Sequence, residues 1–148
     1  MGRIVNVKIK KLRSDAILPE YQTPLSAGFD FHACIDKDII LKPGERYAVP
    51  TGLSMSLPAG YVTEIYARSG LAAKYGVAMA NGVGVIDADY RGEYLILLGN
   101  YGNEKFIIEP NMRIAQGIIK KHETAEWEEI DELDETTRGK GGFGSTGA

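Results

Sequence analysis

What most constrains this chain is how often its apolar runs are interrupted. Between Arg3 and His122, short stretches of β-branched and aromatic residues alternate with turn-forming clusters. The clusters include Lys42-Pro43-Gly44, Leu57-Pro58-Ala59-Gly60, Tyr101-Gly102-Asn103-Glu104 and Glu109-Pro110-Asn111, each combining a fixed or permissive backbone residue with polar neighbours. Segments this short read as strands, placed near residues 5–9, 28–34, 46–49, 53–57, 61–67, 93–99, 105–108 and 113–120. The expected fold class is all-β, a jelly-roll-like sandwich or barrel. One short helix is expected over residues 69–75, where Ser69 can cap, Leu71, Ala72, Ala73 and Lys74 favour helix, and Gly76 ends it. Tyr94-Leu95-Ile96-Leu97-Leu98 is apolar on both alternating faces, which suits a strand covered on both sides, between sheets or at a subunit contact.

Composition sets the outer bounds. With 148 residues, 44% apolar and 25% charged, the chain has the balance of one soluble domain whose core needs neither disulfides nor structural metal. Cys34 has no partner within the chain, which argues against a secreted disulfide framework, fits a reducing cytosol, and reads as structural. With only His32 and His122 beside it, a zinc site of His and Cys ligands lacks candidates. Basic residues are mixed through the apolar start and no run is long enough to span a bilayer, so a cytoplasmic location is expected. Residues 123–135 hold eight acids and no base, leaving 17 basic against 12 acidic residues elsewhere, a surplus that favours a small anionic ligand. The expected organisation is a β domain over residues 1–122, an acidic connection over 123–135 and a glycine-rich arm over 136–148. Within the connection, Trp127, Ile130 and Leu133 read as a patch anchored on the domain. Without a basic stripe interleaved with aromatics, nucleic-acid polymer is not indicated as a partner.

Four stretches carry residue types suited to phosphate or nucleotide chemistry. Ala67-Arg68-Ser69-Gly70-Leu71 runs from strand into helix, which taken alone reads as an ordinary capped helix but also offers an anion backbone donors, the Ser69 hydroxyl and the permanently charged fork of Arg68. Asn81-Gly82-Val83-Gly84-Val85-Ile86-Asp87-Ala88-Asp89-Tyr90-Arg91-Gly92 interrupts a β-like run with glycines that permit a bulged hairpin or a close backbone approach to a ligand. Its carboxylates could orient a water and take its proton, as phosphoanhydride hydrolysis requires; on local evidence alone Asp87 and Asp89 read first as turn residues and Tyr90 as packing. Asp30, between Phe29 and Phe31, reads by alternation as the outward face of a half-buried strand. A single carboxylate acting through water also suffices for magnesium, which retains waters and leans on substrate phosphates. The tail strings Arg138, Phe143, Ser145 and Thr146 on glycines. By itself it reads as a mobile end, but an arginine, two hydroxyls, backbone amides and a ring would also let it close over a nucleotide as a lid.

Together with Met112-Arg113-Ile114-Ala115-Gln116, these stretches stand in one order, and that order closely resembles the trimeric dUTPase family over nearly the whole chain. The five matching segments are residues 27–33, 67–76, 81–92, 113–116 and 138–147. The resemblance implies a jelly-roll homotrimer with three active sites, each assembled from neighbouring subunits and closed by the mobile C-terminal arm of one of them. It implies hydrolysis of dUTP to dUMP and pyrophosphate with Mg2+, an activity that keeps uracil out of DNA and supplies dUMP for thymidylate synthesis. Carried over by position, Asp87 rather than Asp89 would set the water that attacks the α-phosphorus. Asn81 and the backbone of Gly84, Val85 and Ile86 would read the uracil edge, and Tyr90 would lie under the deoxyribose. Arg68, Ser69, Gly70 and Gln116 would hold the phosphate chain, with Asp30 near magnesium through water. Arg138, Phe143, Gly144, Ser145 and Thr146 would form the lid, while Arg113 is either structural or touches a neighbouring subunit. Two positions depart from the family pattern: Ala67 where a proline often precedes Arg-Ser-Gly, and Gly117 where a larger apolar residue is frequent.

The rival in the same fold superfamily is a dCTP deaminase, or a bifunctional enzyme that also hydrolyses the triphosphate. In that relative a glutamate in a differently composed central segment serves the base carbon, whereas residues 81–90 and the glycine-rich arm resemble the hydrolase. A nucleotide-sensing regulatory protein on the same fold is the alternative of another class; candidate groups at every segment favour the hydrolase.

Overall fold

The structure is a computed structural model describing residues 3–147, so Met1 and Gly2 of the expected β domain and Ala148 of the expected arm lie outside the described residues. In chain order the elements are β1 Lys8–Lys11, β2 Phe29–His32, β3 Ile39–Leu41, β4 Arg46–Pro50, β5 Leu53–Ser56 and β6 Tyr61–Tyr66. They continue with α1 Ser69–Tyr75, β7 Val77–Met79, β8 Gly84–Asp87, β9 Leu95–Asn100, β10 Phe106–Ile108 and β11 Arg113–Lys121. A four-stranded sheet in the order β2-β11-β6-β8 and a three-stranded sheet β4-β9-β7 are completed by the pairs β1-β5 and β10-β3, all antiparallel. Phe31, Ile65 and Ile114 of the first sheet meet Val49, Val77, Ile96 and Leu98 of the second in one buried cluster, with Tyr94 fully enclosed. This is the all-β, jelly-roll-like sandwich with one short helix that the punctuation implies.

The turn clusters fall between strands as expected. At the 109–112 turn, Asn111 takes the left-handed conformation (φ 64°), which asparagine tolerates, and its N–H donates to the Ala33 carbonyl at 2.8 Å. The helix occupies the expected residues but starts differently. Its N-cap is Arg68, with extended backbone and no capping side chain, while Ser69 is already helical and its hydroxyl is not a cap. Gly76 ends it with φ 69°, and a Cβ there would lie 2.6 Å from the Gly102 nitrogen, so both conformation and close approach require glycine.

Other expectations are corrected. β1 begins at Lys8 rather than residue 5, because its ladder with β5 opens at the Lys8↔Ser56 pair. β3, β7 and β8 are additional strands of three or four residues, defined by their partners β10, β9 and β6 rather than by local pattern. In β9, Ile96 and Leu98 point into the core while Leu95 is 46% exposed, so within one chain only one face is covered. The 123–135 patch is not anchored on its own domain: Trp127 is 90% exposed and Leu133 81%. Among the described residues, no helix is long and apolar enough to cross a membrane.

Candidate active site

The first, second and fourth segments converge at one end of the four-stranded sheet. β11 lies between β2 and β6, and its register sets Gln116 opposite Asp30 on one side and Tyr66 on the other. Gln116 Nε2 donates to the Ala67 carbonyl at 2.9 Å, which fixes the amide beside Arg68, Ser69 and Gly70. Gly28 makes the space, since a Cβ there would lie 2.6 Å from Gln116 Oε1. Ser69 and Gly70 are exposed, and no heavy atom lies near the place where a Gly70 Cβ would be. The first backbone N–H groups of α1 have no partner within the helix, so this corner presents donors outward.

Asp30 departs from simple alternation. It is 8% exposed, buried like Phe29 and Phe31, because two arginines cover the outer face of β2. Arg68 Nε stands 3.6 Å from its Oδ1 and Arg113 Nη1 3.4 Å from its Oδ2, while Arg68 Nη1 also donates to the Arg113 carbonyl at 3.2 Å. A bulge explains how Arg113 reaches that face. Between Arg113 and Ala115 the β11–β2 register shifts, so Ile114 and Ala115 are both fully buried and Arg113 turns to the side that carries Gln116 and Asp30. His32, opposite Arg113, is partly buried; burial pushes its imidazole below the usual range, and its Nδ1 has no hydrogen-bond partner among the described residues.

The third segment lies at the other edge of the same sheet. Asn81 and Gly82 form an exposed turn, closed by the Val83 N–H donating to the Asn81 carbonyl at 2.9 Å. Gly84 is buried against β6, where a Cβ would stand 3.1 Å from Ile65 Cβ, and Val85 is 66% exposed. Ile86 is partly buried, and Asp87 is exposed and opposite Val62. Tyr90 is 44% exposed, its hydroxyl donating to the Glu93 carbonyl at 3.0 Å. Asp87 is therefore not brought to Arg68 within one chain. Val62 lies four residues before Tyr66, about 13 Å along the strand, and β8 is three strands from Asp30, about 14 Å across. The fifth segment is also apart: Arg138 Nε donates to the Gly141 carbonyl at 2.9 Å, while Phe143, Gly144, Ser145 and Thr146 are exposed.

The dUTPase family model matches residues 14–147. The chain belongs to the dUTPase family. Two curated relatives, each a deoxyuridine 5'-triphosphate nucleotidohydrolase, come from Syntrophotalea carbinolica, 47% identical over 98% of this chain and 99% of the relative, and Rickettsia prowazekii, 52% identical over 97% and 98%. Among solved structures, the Staphylococcus bacteriophage 80alpha dUTPase with dUpNHpp superposes with a TM-score of 0.85 at 29% identity, covering 97% of this chain and 99% of that one.

Within this dUTPase-family chain, Gly28 and Gly117 are site supports that residue-type reasoning passes over. A Cβ at Gly117 would lie 2.6 Å from Phe29 Cε2 and 2.7 Å from Phe31 Cε2, so the departure from a larger residue makes room for an edge-to-face ring pair, 5.4 Å between centroids, beneath Asp30. The signal available in sequence is the pairing of Phe-Asp-Phe with a glycine directly after Gln116.

Proposed function

We propose that this chain hydrolyses dUTP to dUMP and pyrophosphate, with Asp87 setting the water that attacks the α-phosphorus. The observation that carries this reading is the convergence of Arg68, Arg113, Asp30 and Gln116, from three distant segments, beside the outward donors of Ser69 and Gly70 in a dUTPase-family fold. Arg68 and the helix-start amides bind the phosphate chain, and Gln116 adds an amide fixed at Ala67. Asp87 accepts the water's proton as the O–P bond forms, and pyrophosphate leaves from the opposite side. Asn81 and the main chain from Gly84 to Ile86 read uracil, whose N3–H donates where cytosine N3 accepts; the wrong base leaves a buried group unpaired. The tight hairpin excludes the thymine methyl, and Tyr90 crowds a ribose 2′-hydroxyl. Arg138, Phe143, Gly144, Ser145 and Thr146 close the site, the arginine and hydroxyls on phosphates and the ring on the base.

The donor set is compatible with Mg2+ carried by the nucleotide. Among the described residues no three His, Cys, Asp or Glu side chains converge, and Asp30 stands between two guanidinium groups, so an ion beside it would take most of its ligands from phosphates and water. Asp30 would hold it through water, and when bound the ion supplies neutralisation of phosphate charge.

The separation of Asp87 from Arg68 supports a homotrimer in which one subunit's hairpin faces another's phosphate corner. Exposed Val85, Leu95, Trp127 and Leu133 support it too, since an assembly would cover them. On this reading residues 1–122 form the catalytic domain, 123–135 connect it, and 136–148 are the closing arm of a cytoplasmic enzyme that limits uracil in DNA and provides dUMP for thymidylate synthesis. Purified protein with Mg2+ should release pyrophosphate from dUTP and scarcely from dCTP, dTTP or UTP. Comparable rates on all four would refute the base-reading hairpin, and ammonia from dCTP would favour the deaminase.

A further inference from the structure

Gly92 has no conformational need to be glycine. Its φ lies outside the left-handed region, and the chain around it is fixed by side-chain and main-chain bonds to the β4–β5 corner. Ser54 Oγ donates to the Arg91 carbonyl at 2.7 Å, the Gly52 N–H to the Glu93 carboxylate at 2.8 Å, and the Tyr94 N–H to the Leu53 carbonyl at 2.8 Å. From the other side, Arg91 Nη1 donates to the Ala88 carbonyl at 2.7 Å. What occupies the space a side chain would take is the Tyr90 ring. A Cβ on Gly92 would lie 2.5 Å from Tyr90 Cζ and 2.9 Å from Cε1, closer still to the hydroxyl, well inside van der Waals contact.

The ring is folded back across Gly92 by its bond to the Glu93 carbonyl and lies 6.4 Å from the buried Tyr94 ring, whose hydroxyl pairs with Thr63 at 3.0 Å. With the 91–94 backbone pinned by these bonds, a methyl at position 92 would be relieved by the half-exposed ring, not by the chain. The ring would lose the Glu93 bond and swing toward solvent.

We infer that Gly92 is a positioning residue for sugar discrimination: by giving its Cβ space to the Tyr90 ring it sets that ring at the height that admits a deoxyribose and rejects a 2′-hydroxyl. The inference rests on the reading that Tyr90 underlies the sugar. Replacing the glycine therefore alters specificity more than stability, because Ala is compatible with the backbone there.

The test compares kcat/KM for dUTP and UTP in wild type, Gly92→Ala and Tyr90→Ala, with thermal melts of each. A displacement of about 1 Å in a positioning group can cost on the order of 10² in rate. Gly92→Ala is expected to lower the dUTP-to-UTP preference at least tenfold, with Tm within a few degrees of wild type, and Tyr90→Ala to lower it further. Adding Gly92→Ala to Tyr90→Ala should then change the preference little, since the ring through which it acts is gone. If Tyr90→Ala shifts the preference and Gly92→Ala does not, the role of Gly92 is refuted while the sugar platform stands. If neither shifts it, the platform itself fails. A preference lost only together with a large fall in Tm would make Gly92 structural and overturn the inference.

Discussion

Asp87 and Gly117 show how differently single residues contribute. Asp87 is exposed, so Asp87→Asn leaves the packed core alone and tests chemistry almost by itself. It should lower kcat by about 10² to 10⁴ with nucleotide binding retained, measured by steady-state kinetics alongside equilibrium binding of a non-hydrolysable analogue. Turnover like that of the wild type would move the base to another residue. Gly117 is the reverse case, a position without functional groups whose missing side chain admits Phe29 and Phe31. Gly117→Val should destabilise the fold by roughly 1–3 kcal/mol through overpacking, seen as a lower midpoint in urea. Asp30 was legible as a candidate because of its segment, but its burial was not. Alternation alone points it to solvent, and only the arginines from β11 and the β6–α1 turn cover it.

The strands differ in how much of them local pattern encodes. β2, β4, β5, β6, β10 and β11 were each readable within a few residues, because apolar alternation and flanking turns coincide there. β3, β7 and β8 hold only three or four residues and become strands through partners far along the chain, as Met79↔Leu98, Ile86↔Thr63 and Phe106↔Leu41 illustrate. At the end of β9, Asn100 joins several elements at once: Nδ2 donates to the Leu41 and Glu104 carbonyls, both at 2.8 Å, and Oδ1 accepts from the Gly102 N–H at 2.9 Å. It is 1% exposed and its bond to the Leu41 carbonyl is buried, so that carbonyl cannot turn to water. Asn100→Leu should therefore cost about 1–3 kcal/mol, as the buried Leu41 carbonyl loses its partner. A thermal midpoint equal to wild type would show that the corner relaxes without it.

Over the whole molecule, the arrangement of segments matters more than their identity. One chain gathers the phosphate-type residues at one place, sets the hairpin acid about 13 Å along β6 from them, and leaves the 123–147 stretch outside the packed core. Shared sites predict complementation. Asp87→Asn chains and chains ending at Thr137 should each be nearly inactive, yet co-refolded mixtures should recover a sizeable fraction of wild-type turnover, because the first supplies the arm and the second the acid. Mixtures no more active than their parts, in particles shown by light scattering to contain three chains, would place the acid and the arm of each site on the same subunit.

The sequence by itself determined the all-β class, the turn positions, the helix bounds and the order of the five segments, since these depend on residue types within a few positions of one another. The tertiary structure decided which of those residues meet. The bulge that turns Arg113 toward Asp30, the burial of that carboxylate and the packing of Tyr90 over Gly92 arise from strand register and from side chains folding across neighbouring backbone. Register is set by cooperative pairing of distant strands, and a shift of one residue reverses which face a side chain occupies, so no local window of sequence contains it.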